Sequence, residues 1–139
     1  MNYSDFWSWF DSVSAPLLQH REASFRMAFE YLIQFKRPVC IVETGCIRNL
    51  GTFAGEGQST VLFDKFSECV PGTIAHSVDI NPAATELCRS AVSNRIQVHT
   101  SDSVKFLRHK CARLIQPFSS IDLLYLGKVC KTRSFQTVG

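Results

Sequence analysis

Four short apolar segments, separated by stretches of helical length, constrain the fold of this chain more than any other feature. They are VCIVE (39–43), TIAHSVDI (73–80), RIQVHT (95–100) and SIDLLYLG (120–127). The first is a nearly continuous β-branched run, which is typical of a strand covered on both faces. Strands that alternate with helices of 10–15 residues indicate right-handed crossovers. The sequence therefore predicts an α/β fold with a parallel sheet.

Helical patterns precede the first strand and fill the intervals between strands. Ser14 is a candidate N-cap for a long second helix, and Ser59 or Thr60 for the third. Asn81 followed by Pro82 is a strong start signal for the fourth. Five helices are predicted in all, over 3–13, 14–35, 59–70, 81–92 and 101–115.

The composition excludes several classes of protein. The chain has 139 residues, 45% hydrophobic and 19% charged, which suits one domain with a buried core. A formal net charge of +3, evenly spread, does not predict nucleic-acid binding. No apolar run approaches the ~20 residues that span a membrane, and the N-terminal segment lacks the basic start of a secretory signal. We therefore expect a cytoplasmic protein that binds neither nucleic acid nor membranes.

The six cysteines contain no C-x-x-C pair, and most lie in apolar runs. This spacing favours neither a zinc site nor a disulfide framework, so no metal site is predicted. Small buried thiols in a reducing compartment are the simpler interpretation. Cys46 differs because it lies in a glycine-rich loop, where a reactive thiol is the alternative.

That loop belongs to IVETGCIRNLGTFAGEGQST (41–60), which has four glycines between a predicted strand and a predicted helix. A glycine bend before a helix can cradle a ligand, because its backbone permits close approach and the helix offers unpaired N–H groups. A P-loop is disfavoured because Gln58 stands where its lysine belongs. A dinucleotide fingerprint is disfavoured because Thr60 replaces its third glycine.

Four motifs, in order, resemble those of the class I S-adenosylmethionine-dependent methyltransferases, most closely the catechol-type O-methyltransferases. ETG (43–45) and GQS (57–59) are similar to the two halves of motif I, and VDINP (78–82) to motif II. TSDSVKFL (100–107) resembles the adenine-binding segment, and IDLLYL (121–126) the motif IV strand. The resemblance implies a Rossmann-like parallel sheet, with a helical segment (1–37), a cofactor-binding core (38–127) and an irregular basic tail (128–139).

The resemblance also implies roles for individual residues in binding S-adenosylmethionine. Glu43 would hold the methionine ammonium, and Gly45 would let the backbone approach the cofactor. Asp79 would bind the ribose hydroxyls, Ile80 would pack on the adenine, and Asp102 would accept from its amino group. The implied set is completed by Gly57, Ser59 and Ser101. No catalytic residue is assigned, because a sulfonium is already electrophilic and catalysis is mainly in-line alignment.

Structural alternatives stay open for most of these residues. Asp79 could simply end a solvated strand, and Ser101 with Asp102 could cap the helix that follows. Glu43 is harder to explain in this way, since an acid at a buried strand end needs a partner. His20 and Arg21 are interpreted as part of a solvated helix face, with a place at a substrate mouth as the alternative.

The sequence departs from the family pattern in two places. Residues 46–56 are inserted within motif I, and Gly127 stands where catechol-type enzymes carry an aspartate. The chain then ends soon after the fourth strand, so we expect a fold truncated there, with the cofactor half but not the substrate half. The fourth strand would be an exposed edge, covered by the C-terminal tail or by a second copy of the chain in a homo-oligomer.

Three functions remain open at this point. The first is methyl transfer from S-adenosylmethionine to a small-molecule substrate. The second is a non-catalytic module that binds S-adenosylmethionine or S-adenosylhomocysteine. The least favoured is an NAD-binding Rossmann fragment.

Overall fold

A four-stranded, all-parallel sheet organises the computed structural model, which describes residues 1–47 and 58–127. The strands are β1 (Cys40–Thr44), β2 (Ile74–Asp79), β3 (Ile96–Thr100) and β4 (Leu123–Leu126). Their spatial order is β3-β2-β1-β4. The predicted α/β, Rossmann-like fold with N-terminal helices is confirmed. Because the strand order reverses beside β1, the carboxyl end of β1 lies at a topological switch point, where sheets of this kind bind ligands.

Alternate side chains of β1 contribute to two cores, one on each face of the sheet. Ile41 packs in the larger core with aromatic side chains of the N-terminal helices, among them Phe6 and Phe29. Cys40 and Val42 pack in a smaller core on the other face. This alternation follows from the two-residue period of a strand. All five residues of β1 are buried, as the apolar run predicts.

The N-terminal helices are divided differently from the prediction. Ser14 is not an N-cap: it lies in a continuous helix, where its hydroxyl donates to the carbonyl oxygen of Phe10 over 3.1 Å. Pro16 has no N–H to give to this helix, which favours a distorted turn before it. The break falls instead at Gln19, whose φ is 55°. The segments are α1 (Tyr3–Trp9), a π-helical turn (Phe10–Ser14), α2 (Ala15–Leu18), a 3-10 turn (Gln19–Arg21) and α3 (Glu22–Ile33).

Local start signals correctly predict two of the later helices. The side chain of Asn81 caps α5 (Pro82–Ala91) by accepting from the backbone N–H of Ala83. Asp102 caps the last helix in the same way, through Lys105. The N-cap of α4 (Ser59–Cys69), however, is Gln58 rather than Ser59 or Thr60. The last helix is interrupted, running as α6 (Ser103–Lys105), a π-helical turn (Phe106–Lys110) and α7 (Cys111–Leu114).

The fourth strand begins later than predicted because Asp122 makes side-chain contacts at its start. The Asp122 carboxylate accepts from the backbone N–H of Cys40 at 2.8 Å and forms an ion pair with Arg37 at 2.9 Å. Among the described strands β4 is an edge, and Leu126 on it is 66% exposed. Of the coverings predicted for this edge, the tail at 128–139 lies outside the described residues, and pairing with a second copy stays a prediction. Within 1–47 and 58–127, no helix has the length and apolar character needed to cross a membrane.

Candidate functional site

A cleft of about 110 Å³ opens at the carboxyl ends of β1 and β2, at the edge of the sheet that the motifs predict. Four of the eight implied cofactor-binding residues line it: Gly45, Asp79, Ile80 and Asp102. Its other lining residues are Thr44, Val78 and Ser103. Since pockets for larger ligands measure roughly 300–1,000 Å³, the described residues can enclose only part of a nucleoside. Gly57 lies outside the described residues.

Gly45 makes the turn at the end of β1 that opens this cleft. Its φ of 91° lies in the left-handed region that favours glycine, and its N–H donates to the carbonyl oxygen of Val78 at 2.7 Å. A Cβ at this position would lie 3.2 Å from the Cα of Gly127. Both the backbone conformation and the space therefore require glycine here.

Gly127, at the end of β4, is packed against the same turn. Its N–H donates to the carbonyl oxygen of Thr44, and a Cβ on it would lie 2.2 Å from that oxygen. This backbone therefore cannot accept an aspartate at position 127. A carboxylate at the place where catechol-type enzymes carry one is excluded by sterics as well as by sequence.

Asp79, the last residue of β2, is held by two backbone N–H groups. One carboxylate oxygen accepts from Cys46 at 3.0 Å and the other from Asn81 at 2.9 Å. The residue is 5% exposed and lies on the cleft wall. The two bonds tie the end of β2 to the turn after β1 and fix the direction of the carboxylate. The interpretation of Asp79 as a solvated strand end is therefore wrong.

Glu43 is closed off from the cleft by hydroxyl groups of its own chain. Its carboxylate accepts hydrogen bonds from Ser59 and Thr60, in the first turn of α4, and from Ser77 on β2 at 2.7 Å. The residue is 1% exposed. Burial raises the pKa of the Glu43 carboxyl, while the three hydroxyl bonds and the charge of Arg21 act in the opposite direction. The carboxylate thus joins β1, β2 and α4, and it engages Ser59, which the resemblance assigns to the cofactor.

The remaining implied residues have mixed environments. Ile80 is 69% exposed beside the cleft, so its side chain is accessible to a ligand. The carboxylate of Asp102 accepts from the N–H of Lys105 at 3.0 Å, and the hydroxyl of Ser101 donates to the carbonyl oxygen of Asp102. The capping role considered for Asp102 is confirmed, and the same residue also lines the cleft.

The thiol of Cys46 is not a nucleophile in this structure. The residue is 2% exposed, and its sulfur lies 3.2 Å from the hydroxyl oxygen of Ser77. A hydrogen bond with Cys88 and burial both raise the pKa of the Cys46 thiol. The reactive-thiol interpretation is therefore wrong. All five cysteines in the described ranges are free and buried, and those ranges contain no group of three residues suited to a metal ion.

A buried histidine pair lies on the sheet and was not anticipated from the sequence. His76 Nε2 lies 3.1 Å from the carbonyl oxygen of Leu114, and His76 Nδ1 lies 2.8 Å from His99 Nε2. Because a carbonyl only accepts, a neutral His76 carries its proton on Nε2 and accepts from His99. Burial lowers the pKa of His76; burial and the neighbouring His76 lower the pKa of His99 to about 4.

The hydroxyl partners of Glu43 were also missed, although one signal for them is present. Glu43 and Ser77 are register partners on the parallel strands β1 and β2. Ser77 precedes Asp79 by two residues, so aligning the two strands at their acidic ends would have placed a hydroxyl near Glu43. Thr60 had no comparable signal, because its contact depends on how α4 packs against the sheet.

Comparison with known proteins identifies no relative of this chain. No protein-family model matches it, and neither a curated protein nor a solved structure gives a significant match. The site is therefore interpreted from its own geometry.

Proposed function

We propose that the chain binds S-adenosylmethionine at the cleft beside Gly45 and Asp79 and transfers its methyl group to a small molecule. The observation that carries this proposal is the position of Asp79. It is an oriented carboxylate at the end of β2, next to the glycine turn of β1 and the switch point of the sheet. Vicinal ribose hydroxyls are natural partners for such a group, because a carboxylate offers about four acceptor positions.

The lining of the cleft fits a nucleoside in three respects. Ile80 presents an exposed apolar side chain on which a base could pack. Asp102 supplies a second carboxylate on the far wall, suited to an exocyclic amine. The absence of a Cβ at Gly45 lets a ligand approach the backbone. The buried Glu43 would act on the cofactor only by holding the first turn of α4 and the neighbouring strands in place.

S-adenosylmethionine, when bound, supplies a methyl group that is already electrophilic on its sulfonium. The task left to this chain is to bind, orient and exclude water, which are contributions of alignment. No described residue is assigned as a general base. The steric exclusion of a carboxylate at Gly127 favours, as the second candidate, a module that binds S-adenosylmethionine or S-adenosylhomocysteine without turnover.

Calorimetry with the intact chain tests binding. We expect S-adenosylmethionine and S-adenosylhomocysteine to bind more tightly than NAD, and Asp79→Ala to weaken binding by about 1–3 kcal/mol, the scale of hydrogen bonds to a charged group. Asp64→Ala is the matched control, since Asp64 also accepts a backbone N–H, from Ser93 at 2.8 Å, but lies outside the cleft lining. Equal losses in the two variants, or preferential binding of NAD, would sink the proposal.

Release of labelled methyl groups to phenols, sugars and carboxylates separates the two candidate functions. Turnover that Asp79→Ala reduces together with affinity supports a methyltransferase. Tight binding without turnover across these acceptors supports the binding module.

A further inference from the structure

A second cavity, of about 380 Å³, lies between α3 and the edge strand β4. It is lined by His20, Arg21, Ser24, Phe25, Ala28 and Tyr125. It shares no lining residue with the cleft at Asp79. A volume of this size is within the range of small-molecule sites, which are mostly apolar with a few oriented polar groups.

The charge in this cavity comes from Arg21, which is only 9% exposed. Its Nη2 donates to the hydroxyl of Tyr125 at 3.2 Å, and its guanidinium carbon lies 5.1 Å from the centre of the Phe25 ring. The interpretation of Arg21 as part of a solvated helix face is wrong. A buried guanidinium is costly unless its charge is used, and its planar set of donors matches a carboxylate.

The walls beside Arg21 are aromatic and flat. The rings of Phe25 and Tyr125 are stacked, with centroids 5.5 Å apart and planes 24° from parallel. Such faces favour offset contact with another planar ring. His20, which is exposed at the cavity, adds a ring nitrogen that can bond an anion.

The backbone that carries these residues is strained. Gln19 has φ 55° and ψ −118°, a conformation that favours glycine and costs a residue with a side chain about 1–3 kcal/mol. This break ends α2 and begins the turn in which Arg21 is buried. Strain of this kind persists where the surrounding structure enforces it, and functional sites are common among such places.

We propose that this cavity binds a small aromatic carboxylate. The carboxylate lies against Arg21 and His20, and the ring lies against Phe25 and Tyr125. One buried guanidinium suits a monoanion, and the volume suits a single substituted ring. The inference stands on this cavity alone and does not depend on a nucleoside in the cleft at Asp79.

Titration calorimetry on the intact chain with benzoate and with benzamide, a neutral molecule of the same shape, tests the charge. We expect benzoate to bind at least about tenfold more tightly, as charge-assisted hydrogen bonds predict. Arg21→Gln should reduce benzoate affinity to that of benzamide. Arg113→Gln, an exposed arginine outside the cavity lining, should leave it unchanged.

Ala28→Leu tests the location without touching the charge, because a larger side chain at this wall fills the cavity. We expect it to abolish benzoate binding while the circular dichroism of the protein stays unchanged. Absence of saturable benzoate binding to the wild type would overturn the proposal. Equal affinity for benzoate and benzamide, or undiminished benzoate binding in a folded Ala28→Leu variant, would do the same.

Discussion

Glu43 and Asp79 occupy similar places near the carboxyl ends of neighbouring strands, yet their surroundings are opposite. Glu43 is enclosed by three hydroxyl donors from α4 and β2 and is 1% exposed. Asp79 accepts from two backbone N–H groups and lines an open cleft. One acid therefore acts as an internal joint between elements, and the other faces the place where a ligand would lie.

The kind of hydrogen-bond donor accounts for the difference. Side-chain hydroxyls that converge on Glu43 come from two separate elements, so the carboxylate helps to hold those elements together. Backbone N–H groups next to Asp79 orient it from behind and leave its position on the cleft wall unchanged. An acid near a strand end is therefore a reliable indicator of a site only when its donors and its exposure are known.

The largest effect that tests this comparison is on stability. Glu43→Ala should lower the free energy of unfolding by about 2–4 kcal/mol, because three buried hydroxyls lose their acceptor. Glu43→Gln keeps an acceptor oxygen and should lose less. Denaturant titration followed by circular dichroism measures both variants. A loss below about 1 kcal/mol in Glu43→Ala, with two-state unfolding retained, would contradict the role of Glu43 as a joint.

A pH profile gives the next effect. Because the pKa of Glu43 is raised in the folded state, the folded protein holds that proton more tightly than the unfolded chain. Stability contributed by this group therefore falls as pH rises through the ordinary glutamate range towards the raised value, by at most about 1.4 kcal/mol per pH unit. Glu43→Gln should lack this fall, so the stability of the variant relative to wild type should increase with pH.

The histidine pair acts in the opposite direction and is cancelled by that comparison. His76 and His99 have lowered pKa values, so their contribution is complete above about pH 6.5 and is lost as pH falls towards the folded values. Both proteins contain the pair, so only Glu43 changes their difference. A difference that is constant with pH would mean that the environment of Glu43 leaves its pKa unshifted.

The smallest effect concerns a single donor. Ser77→Ala should lower the free energy of unfolding by about 1 kcal/mol, since the Glu43 carboxylate loses one of its hydrogen bonds. Ser67→Ala is the matched control, because Ser67 is also buried but donates only within its own helix, to the carbonyl oxygen of Phe63. Equal losses in the two variants would show that Ser77 contributes no more than an ordinary buried serine.

Much of the fold follows from local pattern. The apolar runs predict four strands, and their alternation with helices predicts a parallel sheet. The starts at Asn81 and Asp102 were also predictable, because a cap bonds a backbone group two or three residues away. The break at Gln19 was not, since a strained residue without glycine leaves no mark in the sequence.

The sequence alone thus determined the class of fold and brought Gly45, Asp79, Ile80 and Asp102 to one edge of a sheet. Only the tertiary structure decided that Glu43 faces inwards and that Arg21 is buried against Tyr125. The physical reason is distance along the chain: the Glu43–Ser77 bond spans 34 residues and the Arg21–Tyr125 bond 104. Contacts of this kind depend on strand register and helix packing, which local sequence does not encode.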